Sequence, residues 1–384
     1  MIDSYTVAIV GCGTIGRSHA KGCQLTDKAE LVAAVDPVEA ARIRFSKEFN
    51  VARTFATTGE LYTELVPDIV IVCTWHHGHP DDTIAAAKAG AKAVICEKPM
   101  AIGLAAADFM IEGCRSGDTK LIIGHQRRFT VGWEKTRALI REGAIGQPLM
   151  VECCVASGLI NWGSHVIDGA RFVLGEPAAE WVMGAVQRTS NRYERNVPIE
   201  DCCVGLVQME SGLQLFIQSD LKMQDASAGG FLVRGTDGVV ETSEWRVRLL
   251  HAEAKGWQEF VLEKPSDGMG GKENADQISE LITWLEGGPE HRCSAETARS
   301  TLEIMMSLYE SARRHQVIRL PLEEGAYPVE KMISEFPRVA ERYDIRSYLD
   351  WKDVDLEEYD RRRAAGMDHH SAMHKLNVSP REST

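Results

Sequence analysis

The chain has 384 residues, is 44% hydrophobic and 26% charged, and carries a formal net charge of −13. That is the composition of a globular protein with room for two domains, and it excludes a disordered or fibrous chain. The acidic balance argues against nucleic acid or an anionic membrane surface as partner, and no apolar run reaches the roughly 18–20 residues of a membrane span.

The opening "MIDSYTVAIVGCG" lacks a basic n-region and a cleavage site, so it reads as a first strand and not as a signal peptide. Ten cysteines are scattered without C-x-x-C spacing, which predicts reduced thiols and a cytoplasmic location. "TVAIVG" (6–11) is a buried strand, followed by a helix from Thr14. "ELVAAVD" (30–36) is a second strand and "PVEAARIRFSKEF" (37–49) a helix with Pro at its start. "DIVIVCT" (68–74), "AKAVICEKP" (91–99) and "KLIIGH" (120–125) are further strands, separated by helices at 80–90 and 104–117. Unalternated apolar runs between helices are the pattern of a parallel sheet covered on both faces. Residues 1–125 therefore predict a doubly wound α/β domain.

The pattern changes after that. Runs at 148–157, 179–190, 201–222, 229–244 and 245–263 are strand-rich, with hairpin signals at Ser211-Gly212 and Asp237-Gly238. Helices are expected at about 133–143, 163–174, 274–288 and 294–315, the last opening on an imperfect capping box of Ser294 and Thr297. Residues 126–325 thus predict a second, mostly antiparallel domain, and 326–384 a charged extension without a strong core pattern.

"VAIVGCGTIG" sets Gly11, Gly13 and Gly16 in G-x-G-x-x-G spacing between a strand and a helix. Gly11 permits the tight turn, Gly13 lets the backbone approach a pyrophosphate, and Gly16 lets helix and strand pack closely. Thr14 and Ile15 open the helix whose free N–H groups would face the phosphates. Asp36 lies 20 residues beyond Gly16, at the end of the second strand, where a carboxylate would hold a ribose 2′-OH and repel a 2′-phosphate. NAD is expected over NADP, with Arg42 in the next helix as the counter-signal.

"ICEKPM" places Glu97, Lys98 and Pro99 at the carboxyl edge of a strand, where open α/β sheets bind ligands. Together with "GCGTIG", with "GHQRRF" ahead of a helix ending in "REGAIGQP", and with "GLINWGSHVID" (158–168), this motif makes residues 5–322 resemble the Gfo/Idh/MocA oxidoreductases. The resemblance implies a Rossmann domain followed by an open, mostly antiparallel sheet domain, with the active site between them. It implies that Lys98 and His165 are the catalytic lysine and histidine and that Asp168 continues an H-x-x-D pattern. Asn161 falls where the family usually has Asp, four residues before the histidine. If 159–172 is one helix, Asn161 and His165 share a face. His165 is then the base that takes a hydroxyl proton, and Lys98 steadies the developing alkoxide.

The same edge carries Thr74, Trp75 and His79, which with Glu97 and Lys98 are expected to bind the cofactor; the resemblance sets His79 near the nicotinamide. "HHGH" (76–79) has a metal-like look but no matching Cys or Asp spacing, and no metal is expected. His125, Arg127 and Arg128 fit the substrate and cofactor crevice, with donors suited to a polyhydroxylated ring. Trp162 is either a stacking platform or a core residue. Asn191, Arg192, Tyr193 and Arg195 read as a solvated loop, and "MDHHSAMH" (367–374) as neither metal site nor tag. The reading is an NAD-dependent dehydrogenase of a sugar or cyclitol, assembled as a homo-oligomer (dimer or tetramer). Redox-neutral glycoside cleavage and a non-catalytic NAD sensor are its competitors.

Overall fold

A computed structural model describes residues 4–221, 230–263, 270–335, 342–344, 361 and 364–365. Strands β1 (Tyr5–Val10), β2 (Ala29–Val35), β3 (Arg53–Phe55), β4 (Ile69–Val72), β5 (Ala93–Cys96) and β6 (Lys120–Ile123) form a parallel sheet in the order β3-β2-β1-β4-β5-β6. β4 and β5 are buried at every residue, as a sheet covered on both faces requires. The crossovers are α1 (Thr14–Gln24), α2 (Glu39–Phe49), α3 (Thr58–Glu64), α4 (His79–Ala89) and α5 (Leu104–Ser116). This is the Rossmann order, which reverses between β1 and β4 and opens a crevice at their carboxyl ends.

A 3-10 turn at Gln126–Phe129 leads into α6 (Val131–Arg141) and the second sheet. Its strands are β7 (Pro148–Val155), β8 (Ala179–Gln187), β11 (Cys202–Met209), β12 (Gln214–Ser219), β13 (Phe231–Gly235), β14 (Gly238–Thr242), β15 (Val247–His251), β16 (Gln258–Phe260) and β17 (Ile318–Arg319). The order is β16-β15-β14-β13-β7-β12-β11-β8-β17, antiparallel except for the β7–β12 pair. α7 (Ser164–Val173) packs on β7, and α9 (Ala295–Arg314) packs on β8. A small third sheet joins β9 (Asn191–Glu194) to β10 (Val197–Pro198) and to β18 (Arg342–Asp344).

The chain then returns. α8 (Gly271–Leu285) packs along α1, and its Ile278, Leu281 and Ile282 share one buried cluster with Val7, Ile9 and Ile71. Sequence order alone had assigned this helix to the second domain. At the start of α9, Ser294 Oγ lies 3.1 Å from Thr297 Oγ1 and caps no backbone N–H. The extension is better anchored than its composition suggested. Tyr327 and Val329 are buried, α10 (Pro328–Glu335) packs on α9, and Gly325 O accepts from Ala105 N at 3.0 Å. The histidine-rich run 367–374 lies outside the described residues.

Candidate active site

The phosphate loop forms first. Gly11 has φ +101°, and a Cβ there would stand 2.7 Å from Cys73 O; one on Gly16 would stand 1.9 Å from Gly11 O. Only glycine serves at either position. The N-cap of α1 is Gly13, which has no side chain to cap the first turn that Thr14 and Ile15 open. These features fit a dinucleotide. Asp36 directly follows β2, with a buried carboxylate that accepts from Cys12 N at 2.9 Å and from Val38 N at 2.8 Å. Burial pushes its carboxyl up, and the two N–H bonds and Arg42 oppose that. Arg42 Nη1 donates to Asp36 O at 2.6 Å, so the acid and the basic counter-signal share one ridge.

The lysine motif sits where β5 ends. Glu97 Oε1 is 2.8 Å from His19 Nε2, which ties the motif to α1. Gly124 makes room for that carboxylate, since a Cβ there would come within 2.7 Å of Glu97 Oε1. Burial disfavours the Glu97 charge, but His19 and Lys98 outweigh it and hold the carboxyl below its usual range. The Lys98–Pro99 peptide is cis. Lys98 Nζ donates to Asn161 Oδ1 at 3.1 Å and to Asn161 O at 3.4 Å, joining the two domains.

The segment carrying Asn161 and His165 is not one α-helix. Leu159–Gly163 is a π turn, with Gly163 N donating to Gly158 O at 3.4 Å, and α7 begins only at Ser164. Two carboxylates anchor its entry. Asp220 accepts from Ser157 N at 2.8 Å and Gly158 N at 2.7 Å, and Glu200 accepts from Leu159 N at 2.6 Å. Burial raises the Glu200 carboxyl, against bonds from Tyr309 and Leu159 that favour its charge. His165 is 5% exposed, with its ring 6.2 Å from Trp162 and 6.3 Å from His125.

Some expected ligand residues have other work. Arg128 is buried and gripped by Asp168 at 2.7 and 2.6 Å, by Glu176 at 2.6 Å and by Arg292 O at 2.6 Å. It holds the core together and is corrected from substrate donor to structural residue. Asp168 also stands 2.7 Å from His125 Nδ1, and Arg128 together with this contact overcomes burial to keep its carboxyl well below the usual range. The His79 ring nitrogens lie 2.9 Å from Pro99 O and 3.0 Å from Thr74 O, so the ring bridges two backbone turns. His76 pairs with buried Glu194 at 2.9 Å. Among the described residues no group of three His, Cys, Asp or Glu side chains is arranged to hold a metal. Arg127 bonds Glu244 and lies 4.2 Å over the Trp162 ring, so Trp162 already has a stacking partner. Thr74 donates to Asp82 at 2.7 Å, beside the Trp75 turn. Glu200, Asp220, His19 and Tyr309 escaped the sequence reading, because lone polar residues at strand ends and helix interiors leave no periodic signal.

A parallel sheet with a glycine turn, a lysine at its carboxyl edge and a histidine segment from a second sheet define a two-domain oxidoreductase. The chain belongs to the Gfo/Idh/MocA oxidoreductase family. Residues 5–125 match its NAD-binding Rossmann fold domain and 133–241 its C-terminal domain. Among its relatives, the myo-inositol 2-dehydrogenase of Thermotoga maritima is 32% identical over 189 residues, covering 45% of this chain and 56% of that one. Inositol 2-dehydrogenase 3 of Saccharopolyspora erythraea is 25% identical, covering 68% of this chain and 86% of its own. D-apiose dehydrogenase of Paraburkholderia graminis is 24% identical, covering 85% and 92%. The fold is shared with an Agrobacterium radiobacter oxidoreductase solved with NAD+, L-tartaric acid and magnesium, at a TM-score of 0.71 and 20% identity, covering 82% of this chain and 98% of that one. No helix among the described residues is long and apolar enough to cross a membrane.

Proposed function

We propose that the protein is an NAD-dependent dehydrogenase that oxidises a secondary hydroxyl of a sugar, cyclitol or sugar derivative, or reduces the matching ketone. The observation that carries this reading is the 3.1 Å contact between Lys98 Nζ and Asn161 Oδ1, which joins the crevice edge of the Rossmann domain to the segment bearing His165. NAD, when bound, supplies the hydride acceptor. His165 takes the hydroxyl proton, and Lys98 donates to the same oxygen as charge develops on it. Asn161 orients Lys98 without adding charge. The glycine turn and the first turn of α1 bind the pyrophosphate, and Asp36 favours NAD over NADP. His125 and Arg127 line the polar wall for a polyhydroxylated ring. The inositol and apiose dehydrogenases among the relatives support that substrate class.

The test is a panel of inositols, sugars and glycosides with NAD, followed by reduced nicotinamide and by product analysis. Net reduced nicotinamide is expected; cleaved glycoside without it would replace this reading with the redox-neutral one. His165→Ala should lower the chemical step on the order of 10²–10⁴-fold while NAD binding stays nearly intact. Near-normal turnover in that variant would make His165 a core residue and end the proposal.

A further inference from the structure

The entry to the histidine segment is held by an unusual set of partners. Ser157 and Gly158 both have positive φ, +60° and +87°, so three successive N–H groups, at 157, 158 and 159, leave β7 without helical or sheet partners. The first two go to Asp220 at the end of β12. The third goes to Glu200, which is 0% exposed and lies in the connection between β10 and β11. Glu200 has its second oxygen filled as well, by Tyr309 Oη at 2.6 Å from the middle of α9. Tyr309 packs edge-on against Tyr327 at 5.7 Å between ring centroids, and Tyr327 Oη donates to Pro198 O at 2.8 Å, two residues before Glu200. α9 and the start of the C-terminal extension thus clamp the 198–200 loop from behind, and the loop holds the backbone that carries Asn161.

We propose that Glu200 is a positioning residue, which through Leu159 fixes the π turn at the height where Asn161 meets Lys98 and His165 faces the crevice. The inference rests on the dehydrogenase reading for its consequence in turnover, but not for its consequence in structure. The geometry argues for position and not for mere cohesion. Glu200 holds a single N–H, at the first residue of the π turn, next to the two held by Asp220. Like the first N–H groups of any helix, the Leu159 N–H has no partner within its own turn, so the carboxylate sets it. A carboxylate shared between one N–H and one phenol has no freedom to follow a shift of the segment, so the segment follows it. A displacement near 1 Å at a reacting centre can cost on the order of 10²-fold in rate.

Glu200→Ala, Glu200→Gln and Tyr309→Phe test it. Gln keeps an oxygen for Leu159 N and can meet the tyrosine with its amide, whereas Ala leaves both orphaned. Glu200→Ala should lower kcat on the order of 10²-fold with NAD affinity unchanged, and Glu200→Gln should recover most of that loss. Tyr309→Phe keeps the ring and loosens the carboxylate; it should lower kcat about tenfold and still serves if the Ala variant does not fold. Hydrogen exchange at amides 159–165 should speed up at least tenfold in the Ala or Phe variant and little in the Gln variant. Folded Ala or Phe protein with wild-type exchange across 159–165 overturns the proposal whether or not any sugar is turned over. A kcat per folded molecule equal to wild type also overturns it. A wild-type protein silent on every substrate but loosened at 159–165 by the Ala change would support the positioning role and sink the dehydrogenase reading alone.

Discussion

Asn161 offers Lys98 a neutral oxygen where a carboxylate would offer a full charge. At an effective dielectric near 20, a unit charge about 4 Å away is worth about 4 kcal/mol before desolvation is subtracted. The amide therefore withholds a large stabilisation from any cation beside it. Asn161→Asp should favour protonated Lys98 and protonated His165 alike. The base must be neutral to accept the hydroxyl proton, so the limb of the oxidation profile that rises with pH should move upward, by about one pH unit. A pH–rate profile that does not move would mean that residue 161 has no electrostatic hold on the base. Asp36 gives a second test at this scale. NAD should bind at least about tenfold more tightly than NADP, about 1.4 kcal/mol. Asp36→Ser, which removes the charge and leaves Arg42, should close that gap; calorimetric titration of both cofactors with both proteins decides it, and equal affinities in the parent protein would refute the assignment.

The connection between α8 and α9 is pinned by a histidine whose tautomer is fixed. His291 Nε2 donates to Gln277 O at 3.1 Å, and Nδ1 accepts from Cys293 N at 2.9 Å, so the neutral ring is satisfied on both sides. Burial pushes its pKa down from 6.5 to about 4. Between those values the unfolded chain binds a proton that the folded one refuses, so this residue's contribution to stability falls as pH drops through that window. Melting temperature should decline from about pH 6.5 toward 4, and His291→Gln should make the decline shallower; an unchanged slope would show that His291 is already charged in the fold. Elements of this kind mark the limit of what the sequence discloses. The α/β alternation and the glycine turn are written in local spacing and apolar runs, whereas Lys98, Asn161 and His165 stand out only through the resemblance to the family. The three-residue β3 and seven-residue α3 are too short to show a period. The π turn at 159–163 depends on Glu200 and Asp220, which are distant in sequence, so a reading of residues 159–172 yields a plain helix. Arg128 looked like a substrate donor because its partner Asp168 lies 40 positions away, and only folding closes that distance.

On the scale of the whole molecule, one face of the nine-stranded sheet lacks, among the described residues, the helical cover of the other. Phe216, Leu206 and Met183 sit in register across β12, β11 and β8, with Met183 53% exposed. An apolar row of this kind on an open sheet favours association. The protein should be a dimer or larger at micromolar concentration by light scattering. Leu206→Glu in the middle of the row should shift it toward monomer; a monomeric parent protein would end the expectation. The return of α8 to the first domain bears on how the protein can be taken apart. The polypeptide passes from Rossmann domain to second domain, back again with α8, and over once more with α9. The two halves are therefore laced by three crossings, and a protease that nicks one of them releases neither half. A fragment stopped at residue 125 would bare the apolar groove that Ile278, Leu281 and Ile282 fill, so the cofactor domain is made from two distant stretches of chain and cannot be excised as one.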